Sequence, residues 1–224
     1  MSELPQAVQQ YVERALPTDG PLPRLVRFAQ TGEMQLKPGR WLRFEARQEA
    51  RVDRLEFAWR ARFSVAPLVG IRVRDWFRDG EGGLEARLLG LIPVARAAGS
   101  ETSRSEAMRY LAELPWFPHA ILGNSELEWR ELEPRAVEVA TRVGSAEAAV
   151  TLRFDEAGDV AGVSAPDRPR QEGSRFVERP WSGAFGDYEE LGGVRVPTGA
   201  EVAWDLPDGR FTYFRGRVTD LRLE

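Results

Sequence analysis

Hydrophobic side chains along this chain follow two periods, and the switch between them divides it. Leu4, Val8, Tyr11, Val12, Ala15 and Leu16 share one face of a 3.6-residue helix, with Pro5 in its first turn and Pro17 closing it. Thr18–Pro23 follows as a turn-rich connector. From Leu25 to about Val94 the period becomes two. In Arg54–Val65, Leu55, Phe57, Trp59, Ala61, Phe63 and Val65 take one side, while Arg54, Glu56, Arg60 and Arg62 take the other. That alternation predicts a half-buried antiparallel strand. Val26–Leu36, Leu42–Val52, Val69–Phe77 and Leu84–Val94 repeat it, giving a five-strand meander with turns at Lys37-Pro38-Gly39 and Asp79–Gly83.

The helical period returns over Glu101–Leu122. Thr102 or Ser103 is the expected N-cap, and Ser103 with Glu106 has capping-box spacing. Ala107, Met108, Leu111 and Ala112 form the apolar stripe, with Arg104, Glu106, Arg109 and Glu113 directed elsewhere. Pro115 ends the helix, and Trp116, Phe117, Pro118 and His119 make a stiff aromatic corner. Shorter strands are expected at Leu127–Arg130, Ala136–Arg142, Ala148–Phe154 and Val160–Ala165, then a polar loop over Asp167–Gly173. Alternation is clear again over Val194–Leu206, and Pro207-Asp208-Gly209 turns into a last strand, Phe211–Leu221.

These elements predict one mainly-β domain over 1–224: an N-terminal helix (1–17), the meander (24–95), a central helix and aromatic corner (101–122), and the remaining strands (126–224). The expected fold is a curled antiparallel sheet, or half-barrel, of roughly ten strands with a helix on its concave face.

Three inward positions break the apolar pattern: Gln30, Gln48 and Asp75. A buried amide or carboxylate is costly without partners. Either the three line a polar pocket, or a bulge shifts the phase, or Asp75 lies beyond the rim of its strand.

Composition narrows the function classes. A net charge of -4 with interspersed signs argues against a nucleic-acid footprint. Lys37 is the one lysine, so nearly all positive charge is arginine. Guanidinium forks suit phosphate or carboxylate recognition, but their even spread along the chain matches a compositional bias as well. The absence of cysteine excludes disulfides, thiolate catalysis and Cys-ligated zinc. Met1–Pro17 lacks the apolar core of a signal peptide, and no run approaches the ~18 apolar residues of a membrane span, so the expected location is cytoplasmic.

No P-loop, G-x-S-x-G elbow, HExxH or dinucleotide fingerprint is present, and no cofactor or metal is expected. The lone histidine, His119, is the candidate proton-transfer group, with Asp75, Glu113 or Asp187 to orient it. The competing reading makes it a turn residue bonded to a backbone carbonyl. The seven tryptophans are spread over the chain, and Trp181–Tyr188 interleaves rings with glycine. Such rings suit a sheet that lines a site for an amphipathic molecule, or simply fill the core of a curled sheet.

The motif Asp75-x-x-x-Asp79-Gly80-x-Gly82 follows the fourth strand, and Arg109-Tyr110-Leu111-Ala112-Glu113-x-x-Trp116-x-Pro118 spans the helix exit. With Trp181-x-Gly183, Asp187-Tyr188 and Gly193-x-x-x-Pro197, they resemble a bacterial domain-of-unknown-function family over nearly the whole chain. The expected architecture is also similar to the half-barrel of lipoprotein-localisation carriers (LolA/LolB-like), which implies an apolar cavity for acyl chains; the lipobox cysteine is missing here.

The leading expectation is therefore a non-enzymatic protein that binds a lipid-like or amphipathic small molecule. Trp59, Trp116, Trp181 and Tyr188 would supply apolar contacts, Gln30, Gln48 and Asp75 would orient its polar end, and His119 is a further candidate ligand-binding residue. The alternatives are an enzyme using His119 with Asp75 or Glu113 as acid and base, and an interaction module that pairs through a sheet edge.

Overall fold

A computed structural model describes residues 4–17, 20–66 and 69–224. Residues 18–19 of the expected connector lie outside the described residues. The N-terminal helix α1 (Gln6–Ala15) buries Val8, Tyr11, Val12 and Ala15, the face its sequence predicts.

Six strands follow: β1 (Leu25–Lys37), β2 (Arg40–Arg51), β3 (Phe57–Ala66), β4 (Val69–Arg78), β5 (Glu81–Leu88) and β6 (Ile92–Ala98). Next come α2 (Ser100–Ala112), a 3₁₀ turn (Leu114–Trp116) and α3 (His119–Gly123). The chain ends in β7 (Glu128–Glu133), β8 (Ala136–Val143), β9 (Ala146–Phe154), β10 (Val160–Glu172), β11 (Arg175–Leu191), β12 (Val194–Leu206) and β13 (Gly209–Leu223).

All thirteen strands belong to one curled, open antiparallel sheet in the order β6-β5-β4-β3-β2-β1-β13-β12-β11-β10-β9-β8-β7. Within each half, β1–β6 and β7–β13, every strand pairs with its sequence neighbours; β1 meets β13 at the seam that joins the halves, and β6 and β7 form the two edges. Hairpin connections give that pattern directly, because antiparallel neighbours need only short turns. The two edges are blunted: β6 carries Pro93, which cannot donate to a ladder, and β7 is mostly charged.

Thirteen strands replace the expected ten for local reasons. The segment expected as Leu84–Val94 folds back at Leu89 and Gly90, both at positive φ (53° and 74°), and becomes β5 and β6. Two successive positive φ values make the tight turn that matches strand twist. Asp167–Gly173 is not a loop: Arg168–Glu172 pair with Arg175–Arg179 as the far end of a long hairpin. Its polar side chains signal strand ends reaching into solvent.

The central helix also starts earlier than its capping pattern suggests. It begins at Ser100 behind Gly99, with no side-chain cap. Ser103 instead accepts a hydrogen bond from the Gly82 amide at 2.8 Å. A side chain at Gly82 would strike the Ser103 backbone at 2.8 Å, so the glycine is what lets α2 sit directly on β5.

α2 packs against β4 and β5 on one wing and β8, β9 and β10 on the other. Wedged between both wings, it buries Thr102, Ser103 and Glu106 as well as Ala107, Met108, Tyr110, Leu111 and Ala112. A helix enclosed in this way is not amphipathic in the usual sense. The face carrying Glu106, Arg109 and Glu113 is therefore not the solvent face that a single apolar stripe implies.

Candidate functional site

The inward faces of β1 and β2 follow the expected alternation, so Gln30 and Gln48 are buried, at 2% and 1% exposure. Asp75, in the interior-facing phase of β4, is buried too. A register shift does occur between Ala29 and Gln30 against β13, yet Gln30 still faces inward.

Arg109 organises this interior. From α2 its Nη1 donates to Asp75 Oδ2 at 2.6 Å and its Nε to Glu113 Oε1 at 2.8 Å. Its guanidinium lies over Trp59 and Phe57, 5.0 and 5.1 Å from the ring centroids. Gln48 Nε2 donates to the other Glu113 oxygen, and Gln48 Oε1 accepts from Arg109 Nη2 at 3.4 Å. Trp59 Nε1 donates to Gln30 Oε1 at 2.8 Å. The amides that break the apolar pattern are thus partners for buried charge and for an indole, as buried polar groups require.

A second buried cation, Arg168 on β10, donates to Ser105 at 3.1 Å and stacks on Trp181 at 4.4 Å. The remaining acid is Glu106 on α2. Burial, reinforced by the negative charge of Asp75, pushes its carboxyl up to about 8, against the pull of Arg109 and Arg168. Burial also raises Asp75 above the ordinary carboxylate range, opposed by Arg109. With Glu106 protonated, Asp75 and Glu113 balance Arg109 and Arg168. The network is then close to neutral, the cheapest state for a dry site.

These groups border a cavity of about 210 Å³ between α2 and the sheet. Its walls include Met34, Leu84, Val163, Trp116, Trp181, Phe185 and Phe214, and its polar end is formed by Gln30, Asp75, Glu106, Arg109, Glu113 and Arg168. Two carboxyl oxygens there, Asp75 Oδ1 and Glu106 Oε2, are buried without a hydrogen-bond partner.

Of the residues singled out from sequence, Gln30, Trp59, Asp75, Glu113, Trp116 and Trp181 border this cavity. Gln48 stands behind it as a hydrogen-bond partner of Glu113. Tyr188 and His119 do not border it. Tyr188 donates to the Val160 carbonyl at 2.9 Å and stacks with Arg195 at 5.0 Å.

His119 opens α3 and is enclosed in the aromatic corner, 5% exposed. Desolvation lowers it to about 4. Its Nδ1 is buried without a partner. The expected pairing of His119 with Asp75 or Glu113 is absent, because Pro115 and the 3₁₀ turn carry the chain away from the Arg109 face. The expected bond from a turn histidine to a backbone carbonyl is likewise not made through Nδ1.

Sequence reasoning missed Glu106, Arg109 and Arg168. The i, i+3, i+7 spacing of Glu106, Arg109 and Glu113 was a visible signal of one charged face, and Asp75 supplied the opposing wall. Arg168 gave none, because its segment reads as a polar loop. Among the described residues, no helix is long and apolar enough to cross a membrane, and no cluster of three or more His, Cys, Asp or Glu side chains could hold a metal ion.

Solved structures similar to this chain include two from bacteria. A LolA superfamily protein from Nitrosomonas europaea aligns with a TM-score of 0.49 at 10% identity, over 97% of this chain and 92% of the other. A domain from Vibrio parahaemolyticus described as outer membrane lipoprotein-sorting aligns with a TM-score of 0.49 at 9% identity, over 98% and 91%. No functionally curated protein matches. The profile of one sequence family matches residues 1–216, and the chain belongs to that family, DUF6544, a family of unknown function.

Proposed function

We propose that this chain binds a small amphipathic molecule in the cavity between α2 and the sheet, without catalysing its conversion. The supporting observation is the cavity's asymmetry: rings and aliphatic side chains on most walls, and a buried network with unmet hydrogen-bonding capacity at one end. An apolar pocket with a few convergent polar groups is the usual form of a small-molecule site. Trp116, Trp181, Phe185 and Phe214 supply apolar contacts, while Asp75 and Glu106 meet the polar end. Gln48 and Gln30 act behind them, as positioning residues for Glu113 and Trp59.

Size limits the ligand. At about 210 Å³ the cavity lies below the range of about 300–1,000 Å³ common for drug-sized ligands. A single short chain or one ring system fits, and a two-chain lipid requires α2 to shift. Trp59, Trp116 and Trp181 border the cavity and give an intrinsic signal. Protein purified from cells is expected to carry a small ligand in native mass spectrometry. Stripped protein is expected to change its tryptophan emission saturably with 1-octanol. Neither a retained molecule nor a saturable change would remove the support for this reading.

A further inference from the structure

The polar end of the cavity is not equally disposed to all headgroups. Four carboxyl residues border the cavity, and with Glu201 paired to Arg215 at 3.0 Å, Asp75, Glu106 and Glu113 stand against two guanidinium groups, Arg109 and Arg168. Both Glu113 oxygens are taken, one by Arg109 Nε and one by Gln48 Nε2. Arg109 Nη1 is spent on Asp75 Oδ2, and Arg168 donates through Nε to Ser105 and lies over the Trp181 ring, with Nη1 and Nη2 making no side-chain hydrogen bond among the described residues. Two carboxyl oxygens are buried without a partner, Asp75 Oδ1 and Glu106 Oε2, on residues that are each 7% exposed. Trp59 and Trp181 present ring faces nearby, but Arg109 and Arg168 already cover them.

Building on the proposed binding function, we infer that the cavity selects molecules whose polar end is a protonated amine, held between Asp75 Oδ1 and Glu106 Oε2. An ammonium group has three donors and no acceptor, so it satisfies both open oxygens, whereas a carboxylate would bring further acceptors to a site already rich in them. It also supplies the positive charge needed to balance three ionised acids against two arginines. An alkylammonium enters with its charge, Glu106 gives up its carboxyl proton to solvent, and one proton is released for each amine bound.

The groups facing Glu106 are Asp75 from β4, Arg109 and Glu113 from α2, and Arg168 from β10. Amine binding is therefore expected to tighten by about tenfold per pH unit up to about 8, where Glu106 ionises by itself, and to level off above it.

The test is titration calorimetry of the intact chain with n-octylamine, 1-octanol and octanoate at pH 7, in two buffers of different ionisation enthalpy. Octylamine should bind at least about tenfold more tightly than octanol, as for a charge-assisted hydrogen bond, and release close to one proton. Octanol should release none, and octanoate should bind weakest. In Glu106→Gln the octylamine advantage over octanol, and the proton release, should disappear. If Glu106→Gln does not fold, the proton count on the unaltered protein decides. Octylamine binding no tighter than octanol, or binding without proton release, overturns the amine inference but leaves the binding function standing. Failure of all three probes to bind overturns both.

Discussion

The segment from Ser100 to Gly123 buries ionisable groups at two places, and they behave in opposite ways. Around Arg109, charge is paired, hydrogen-bonded to two amides and placed beside a cavity, with two acceptor oxygens unmet. In the aromatic corner the packing is closed. Trp116 Nε1 donates to the Pro197 carbonyl at 2.9 Å, and Phe117 lies against Phe28 and Tyr110. Tyr11 from α1 donates to the Pro115 carbonyl at 3.1 Å, and His119 sits neutral inside. The lone histidine draws attention first, yet it has neither a charged partner nor space for a ligand. Burial of a titratable group does not mark a site; burial with a cavity and unsatisfied partners does.

The sharpest way to break this contrast is to remove the organising cation. Arg109→Met keeps much of the apolar stem over Trp59 and Phe57 but leaves Asp75 and Glu113 without their ion-pair partner. Truncating one side of a buried pair costs about 3–5 kcal/mol, because the remaining charge stays desolvated. Urea denaturation should show that loss, the largest expected from any side chain in the site. A cost below about 1 kcal/mol would place the network in reach of water and remove the basis for a dry site.

The next effect is a pH dependence on the alkaline side. Glu106 has an ordinary value of 4.5 and is pushed up to about 8 in the fold, so the folded state holds a proton that the unfolded chain has lost. Stability from this group is complete below about 4.5, declines as pH rises, and is gone above 8. Between pH 6 and 8 the decline is on the order of 2 kcal/mol, or roughly 4–8 °C in Tm for a chain of this size. Melting curves of the unaltered protein and of Glu106→Gln should diverge over that window, with the glutamine variant flat. Parallel curves would mean that Glu106 is ionised in the fold at neutral pH.

The contrast between the two places was only partly legible in the sequence. Period-two alternation exposed Gln30, Gln48 and Asp75 as inward polar residues, and all three are buried in the network or beside it. It worked because one side of each long strand faces a single interior, so a residue's phase sets its side. The helix was harder. Its apolar stripe implies one buried face, whereas enclosure by both wings buries a second, and no local pattern announces a contact made with strands that follow far downstream, β8 (Ala136–Val143) to β10 (Val160–Glu172). The aromatic corner misled for a related reason. Trp116 borders the cavity but His119 does not, because Pro115 and the 3₁₀ turn reorient the chain between them.

The smallest effect tests the closed side. His119 is lowered to about 4 from 6.5 by desolvation, so here the unfolded chain is the one that binds the extra proton in mild acid. Its contribution to stability is therefore present above 6.5 and lost as pH falls toward 4, opposite in direction to that of Glu106. Between pH 7 and 5 the loss is about 1 kcal/mol once solvent screening is allowed for. His119→Phe should abolish that slope. It should cost little at pH 7, since it removes a buried Nδ1 that has no partner and keeps a ring in the corner. Denaturation at pH 5 and pH 7 checks both points. If the phenylalanine variant retains the acid slope, another group titrates there. If it is destabilised by more than about 2 kcal/mol at pH 7, the imidazole makes a bond on its other nitrogen, and the corner is as polar in its way as the Arg109 network.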